Sequence, residues 1–342
     1  MLNILKKVNR KENSPWFYCL PILIVFFINI FLLAENRPLS DGIRYWETAS
    51  DILDGFKNKS ILESYLFLNG PLYPLILALF KAVGFSVKAS IFLNAFFLYV
   101  GFTFFFKTLS QYISFKKALI TTYVLVFIDP FLFYWTAKLY SEPLAILLVC
   151  ILLYYLNLFI KTNTKKHLVL SAFIFCLLAL TRVIFAYVAL SIVIFGLVGW
   201  VIFKSSLFKK LLKFSSFSLL LCIPYLIFTY SVTNKVFYFS GNGGLLLYWT
   251  SSPYPSDMGE WHTLQINHDH FAARYSKFSG LDSLYLRKVN DVIVNEINSN
   301  HKDLADNLKD KDKALIEGAF ELSSRKDIKS KRVRTVQKIN DI

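Results

Sequence analysis

The chain is short of charge. Asp, Glu, Lys and Arg make up 18% of its residues, against 55% hydrophobic, too few to clothe a soluble surface. Acidic residues are the scarcer sign, 23 against 38 Lys and Arg. Glycine is ordinary at 13 residues, which excludes a collagen-like fibre. Cysteine is sparse: Cys19, Cys150, Cys176 and Cys222 all lie inside apolar runs, far apart in sequence. They read as core or lipid-facing thiols rather than disulfides or a metal site. The period-two alternation of a transmembrane β-strand is missing as well, which excludes a β-barrel.

What the chain has is long apolar runs, recurring from Trp16 to Tyr230. Most are near the roughly 20 residues that a helix needs to cross a bilayer. The first, Trp16 to Ala34, follows a basic tail with Lys6, Lys7, Arg10 and Lys11. It is longer than a signal-peptide core and has no small-x-small cleavage site, so it reads as an uncleaved helix. Basic residues mark the cytoplasmic side of short loops. They cluster in the N-terminal tail, at Lys107, Lys116 and Lys117, at Lys161, Lys165 and Lys166, and at Lys204, Lys209, Lys210 and Lys213. Placing all four clusters on one side predicts about seven spans, near 16–34, 88–106, 118–137, 143–160, 168–181, 183–203 and 214–231. The apolar stretch from Gly70 to Phe85 is short and opens with two prolines. If it crossed, every later basic loop would change sides, so it reads as a juxtamembrane or re-entrant helix. The expected fold is an all-α polytopic plasma-membrane protein with a cytoplasmic N-terminus. Residues 1–231 form the membrane module, with an outer loop at 35–87, and residues 232–342 form an outer-face, partly helical C-terminal region.

The inner loops are short, so chemistry is expected on the outer face. In the outer loop Ile43, Trp46, Leu53 and Phe56 recur at helical spacing among charged residues. This predicts an amphipathic helix suited to the membrane interface. Asp41 just before it has two readings, an N-cap or a functional carboxylate. Further ionisable groups fall at outer helix ends: Lys138, Glu142 and Arg182, with Asp129 deeper and followed by Pro130. Such groups are costly in a membrane protein and face a partner or a polar cavity. Lys138 reads as a snorkelling side chain. Arg182, with apolar sequence on both sides, points to a cavity. Asp129 either satisfies backbone groups freed by the proline or serves the cavity. Asp41, Arg44, Glu142 and Arg182 thus put acid and base on one surface. That chemistry suits deprotonation of an acceptor by a carboxylate and recognition of a phosphate-bearing lipid donor by arginine.

These residues resemble a family. Asp41-Gly42-Ile43-Arg44-Tyr45, an amphipathic helix, and then Gly70-Pro71-Leu72-Tyr73-Pro74 are similar to the first outer loop of GT-C membrane glycosyltransferases. The branch is that of protein O-mannosyltransferases and lipid A aminoarabinose transferases. Tyr140-Ser141-Glu142-Pro143-Leu144 and Leu180-Thr181-Arg182 are similar to that family's acid at the start of the fourth span and its base between later helices. The resemblance implies an inverting transfer of a sugar from a polyprenyl-phosphate donor to a lipid, glycan or protein acceptor. Asp41 would be the general base, Arg44 and Arg182 would bind the donor phosphate, and Glu142, Tyr45 and Tyr73 would shape the substrate cavity. A divalent metal is possible. Three departures stand against the pattern. Gly42 replaces a second acid, Leu68 and Asn69 stand where Glu and Lys are frequent, and the further membrane helices that the family implies do not follow before Ile342. The last departure and Gly42 favour an alternative, a non-catalytic membrane scaffold or a lipid-linked glycan transporter, whereas Asp41 and Arg44 favour the enzyme. No internal repeat of broken helices supports a transporter.

Beyond the membrane module, Trp249, Tyr254 and Trp261 offer flat faces for sugar stacking or for the membrane interface. His262, His268 and His270 lack helical ligand spacing with a nearby acid and read as exposed. The basic run from Arg325 to Lys338 reads as a solvated face or headgroup contact, not a nucleic-acid site. The charge pattern carries a topological prediction. Single cysteines introduced at Lys165 and Asn242 should be labelled by an impermeant thiol reagent from opposite sides of the membrane; labelling of both from one side refutes the seven-span topology.

Overall fold

A computed structural model describes residues 14–39, 41–57, 61, 66 and 70–240; the readings above that fall on the basic N-terminal tail, Leu68, Asn69 and residues 241–342 lie outside them. Among the described residues the main elements are eleven α-helices. They are α1 (Pro15–Leu33), α2 (Asp41–Leu53), α3 (Leu72–Ala82), α4 (Val87–Leu109), α5 (Phe115–Ile128), α6 (Pro130–Thr136), α7 (Glu142–Thr162), α8 (Lys165–Thr181), α9 (Ile184–Phe203), α10 (Ser206–Leu221) and α11 (Ile223–Thr233). By length and apolar composition α1, α4, α7 and α9 each suffice to cross a membrane, and the pairs α5–α6 and α10–α11 bring the candidates to six.

Both pairs are bent where the sequence reading expected a continuous span. The α5–α6 axis turns by 69° at Asp129-Pro130, and α10–α11 by 46° at Cys222. Each second half opens with a proline in its first turn, which has no N–H to continue the ladder and clashes with the preceding turn. Asp129 takes the structural one of its two readings: its carboxylate caps α6, accepting from the Phe131 N–H at 2.9 Å. Helix α8 forms as expected but has only 17 residues and is buried along much of its length, wedged among α7, α9 and α10. Helix α3, at 11 residues, rises about 16 Å and is too short for a hydrocarbon core of about 30 Å.

The helices pack through small residues. A Cβ on Gly101 of α4 would lie 3.0 Å from the Leu147 Cα of α7. Gly196 and Gly199 of α9 lie against Leu212 and Phe208 of α10. Such approaches give dispersion contact where apolar burial supplies no drive, since lipid is as apolar as Leu. Helix α1 shows the division of faces. Cys19, Ile22, Phe26 and Ile30 are fully buried, while Phe17, Ile24, Ile28 and Phe31 are exposed. An apolar surface of this extent is an aggregation hazard in water and an ordinary lipid contact.

The connections alternate between two ends. One end gathers Lys107, Lys161, Lys209 and Lys210, with Lys161 Nζ donating to Gln111 and Lys210 Nζ to the Ile160 carbonyl. Ammonium groups there lie over Trp16, Tyr112 and Trp200. The other end carries α2, α3 and the segment between α6 and α7. Two amide side chains, Asn29 half-buried and Asn94 buried, secure that segment. The last four carbonyls of α6 have no partner within the helix. Asn29 Nδ2 donates to Phe133 O at 2.8 Å. Asn94 Nδ2 lies 3.4, 3.3 and 2.6 Å from the carbonyls of Trp135, Thr136 and Lys138. Cys176 and Cys222, distant in sequence, meet with their sulfurs 3.3 Å apart as free thiols.

Asn94 is fully buried, so Asn94→Leu takes the side-chain donor from the Thr136 carbonyl, while those of Trp135 and Lys138 keep backbone donors. The expected loss is about 1–3 kcal/mol, read as a lowered Tm of the purified protein in detergent.

Candidate functional site at the end carrying α2 and α3

The site is built where two helix termini of opposite polarity meet. Glu142 stands in the first turn of α7, where the helix dipole favours an anion. Arg182 is the C-cap of α8, with its N–H on the Leu178 carbonyl, where the dipole favours a cation. The two side chains form an ion pair, Arg182 Nη1 to Glu142 Oε1 at 2.7 Å. Ser141 precedes α7 at the capping position but makes no capping bond. Its hydroxyl instead accepts from Arg182 Nη1 at 3.2 Å and shares a hydrogen bond with the Tyr45 hydroxyl at 3.0 Å.

Tyr45 brings α2 into the cluster. The buried face of α2 is Gly42, Arg44, Tyr45, Thr48 and Ala49, beside the apolar stripe read from the spacing. Of that stripe, Ile43 and Trp46 are half-buried and Leu53 is exposed. Protein contact took the small and polar face and covers the apolar stripe only in part, with Trp46 packed on the core. Asp41 is the first helical residue, and its carboxylate pairs with Arg44 one turn on. Arg44 is buried, whereas the Asp41 side chain is 37% exposed. The Tyr45 ring meets Tyr73 of α3 edge-on, centroids 5.0 Å apart. Burial, and next the charge of Asp41, push the Tyr45 hydroxyl up to about 12; burial likewise holds Tyr73 well above its ordinary range. Both phenols therefore act as neutral hydrogen-bonding groups and not as bases. Among the described residues, Tyr73 Oη and Glu142 Oε2 are buried without a hydrogen-bond partner.

Two glycines set the spacing. A Cβ on Gly70 would lie 2.2 Å from the Leu180 carbonyl and 2.6 Å from that of Thr181. The chain entering α3 therefore rests on the end of α8, beside Arg182, and delivers Tyr73 to Tyr45. A Cβ on Gly42 would lie 3.0 Å from Leu139 Cβ. The acid that the resemblance leads one to expect at Gly42 would press on the segment leading to Ser141. Lys138 lies over the Tyr134 ring and donates to its hydroxyl.

The structure thus brings together Asp41, Arg44, Tyr45, Tyr73, Glu142 and Arg182, all six residues singled out from the sequence. It adds Ser141, the hub of the hydrogen bonding. Its signal was a serine at a helix start followed directly by Glu and Pro. Asn94, which holds the neighbouring segment, had no signal beyond being an amide in an apolar run. Among the described residues, no group of three or more His, Cys, Asp and Glu is arranged to hold a metal ion. The chain matches no protein-family model and no curated protein.

Because Gly70 has backbone rather than a pliable side chain against it, Gly70→Ala must displace α3 or the end of α8. The expected cost is about 1–3 kcal/mol, seen as a lower Tm. Gly84, with nothing within 4 Å of its Cβ position but a φ of +88°, serves as a control: Gly84→Asn should be mild, because Asn tolerates the left-handed region.

Proposed function

We propose that the protein is a GT-C-like membrane glycosyltransferase that moves a sugar from a polyprenyl-phosphate donor to an acceptor at the outer face. In this reading α8 and the two bent pairs also traverse the membrane, giving seven spans. The lysine-rich end is cytoplasmic, and the end with α2 and α3 faces outward from the plasma membrane. The observation that carries the reading is the half-exposed Arg182, held by Glu142 and Ser141 beside two buried tyrosines. A lipid phosphate approaching in the membrane plane would find a guanidinium there, able to bind two of its oxygens in parallel. Arg44 is buried against Asp41 and serves best to orient that carboxylate. Asp41 remains partly exposed and takes the acceptor proton as the acceptor oxygen attacks the anomeric carbon. The polyprenyl phosphate leaves from the opposite side, inverting the configuration, with Arg182 stabilising its charge. Glu142, Tyr45 and Tyr73 shape the wall of the substrate cavity behind Arg182.

A second reading is a non-catalytic membrane scaffold, favoured by the pairing of Asp41 and Glu142 with arginines of the same chain. The deciding experiment is transfer of radiolabelled sugar from polyprenyl-phosphate donors by the protein in lipid nanodiscs. The wild type should transfer label. Asp41→Asn, similar in shape, should lose on the order of a hundredfold in rate, and Arg182→Ala should weaken donor binding by about tenfold or more. Near-normal rates with Asp41→Asn remove the base role, and no transfer by the wild type from any donor favours the scaffold.

A further inference from the structure

One pair of reactive side chains lies outside the candidate site. Cys176 and Cys222 are free thiols with their sulfurs 3.3 Å apart. Cys176 belongs to α8, a little under two turns before Arg182, or about 9 Å along the helix axis. Cys222 is the residue at the 46° bend, closing α10 and opening α11. With Ala179, Ala186 and Phe239 the two sulfurs form a small apolar cluster separate from the main core. Cys19 on α1 and Cys150 on α7 have no second sulfur within hydrogen-bond reach among the described residues. The arm beyond the bend is lightly held. Thr229 is the one buried residue of α11, while Ile223, Ile227 and Tyr230 are exposed. The Tyr225 hydroxyl donates to the Phe239 carbonyl at 3.0 Å, which ties α11 to the chain that follows it. Only side-chain packing in the cluster joins the bend to α8.

We propose that Cys176 and Cys222 are a redox latch: an apolar hydroperoxide, of the kind that forms on unsaturated lipid chains, joins them in a disulfide that fixes the bend to α8, and a dithiol reductant releases it. The pair is 4% and 1% exposed behind apolar side chains, where a charged oxidant of the water phase is poorly solvated and an uncharged apolar one is at home. One thiol sulfur attacks the terminal peroxide oxygen. The O–O bond breaks, an alcohol leaves with the thiol proton, and the sulfur becomes a sulfenic acid. The second sulfur attacks the first, the S–O bond breaks, and water leaves with the second proton. Two electrons pass from the thiols to the hydroperoxide. The sulfurs close from 3.3 Å to about 2.05 Å, and Cys222, at a helix junction rather than within a helix, is placed to make that shift. Cys19 and Cys150, without a second sulfur, stop at the sulfenic acid. Because α8 ends at Arg182, the latched state also fixes the helix that carries it relative to α11. The latch stands whether or not the protein transfers a sugar.

The test treats the purified full chain in lipid nanodiscs with cumene hydroperoxide, and in parallel with hydrogen peroxide. Peptide mass spectrometry without reduction should find Cys176 joined to Cys222 within one chain, and dithiothreitol should separate them. Cumene hydroperoxide should act at about tenfold lower concentration than hydrogen peroxide, as its partition into the apolar phase requires. Hydrogen exchange of the α11 amides should slow by about tenfold or more in the oxidised protein, because the opening that exposes them is then tethered. Cys176→Ser and Cys222→Ser should each abolish both the crosslink and the slowing, and an unchanged Tm of each reduced variant shows that it is folded. No crosslink in the wild type, a crosslink between chains, or a crosslink with unchanged exchange of α11 overturns the latch. Equal potency of the two peroxides overturns the assignment of an apolar oxidant.

Discussion

The end of the bundle that carries the candidate site depends on the ion pair between Glu142 and Arg182. Each charge sits at the helix terminus whose dipole suits it, and each relieves the cost of placing the other at the edge of an apolar bundle. The pair also fixes α7 to α8 at the point where both turn back. Ser141 extends the arrangement to α2 by leaving its usual capping role and bonding Arg182 and Tyr45 instead. A change at one of these residues is therefore felt by three helices, and the same partners hold the guanidinium where a ligand phosphate would meet it.

Around that pair, the fold is governed by how closely backbones approach. Gly70 against the last carbonyls of α8 and Gly42 against Leu139 bring α2 and α3 onto the bundle with no room for a side chain between. The segment 137–141 is then held from several sides: by Asn94 from α4, by Gly42 from α2 and by the start of α7. This restraint accounts for a polar constellation supported by a non-helical connection, since buried carbonyls outside a helix need side-chain donors where water is scarce.

The sequence made much of this legible. The positions of the long helices followed from run length, and the gathering of lysines at one end followed from loop charge. The grouping of Asp41, Arg44, Glu142 and Arg182 followed from ionisable residues at helix ends facing one side, and the addition of Tyr45 and Tyr73 from the resemblance. The bends at Asp129 and Cys222 were missed because an apolar run reads the same whether it is straight or broken. The prolines that cause the bends are equally compatible with a gentle kink. The apolar stripe of α2 was legible as a face suited to the membrane interface, but its small and polar face gave no sign that it packs on the protein.

The sequence by itself determined that the chain is a helical membrane protein, where most of its helices begin and end within a few residues (α10 starts at Ser206, ahead of the expected 214), and which charged groups are expensive enough to need partners. Those properties follow from the transfer energies and spacing of residues close together in the chain. Only the tertiary structure decided which partners they take. Arg182 chose Glu142 over the headgroups, Asp41 chose Arg44, Ser141 chose the cluster over its own helix, and Asn94 took on the open carbonyls after α6. Each choice joins residues that are brought within 3 Å or so by the packing of helices on glycine, a distance that no local pattern encodes.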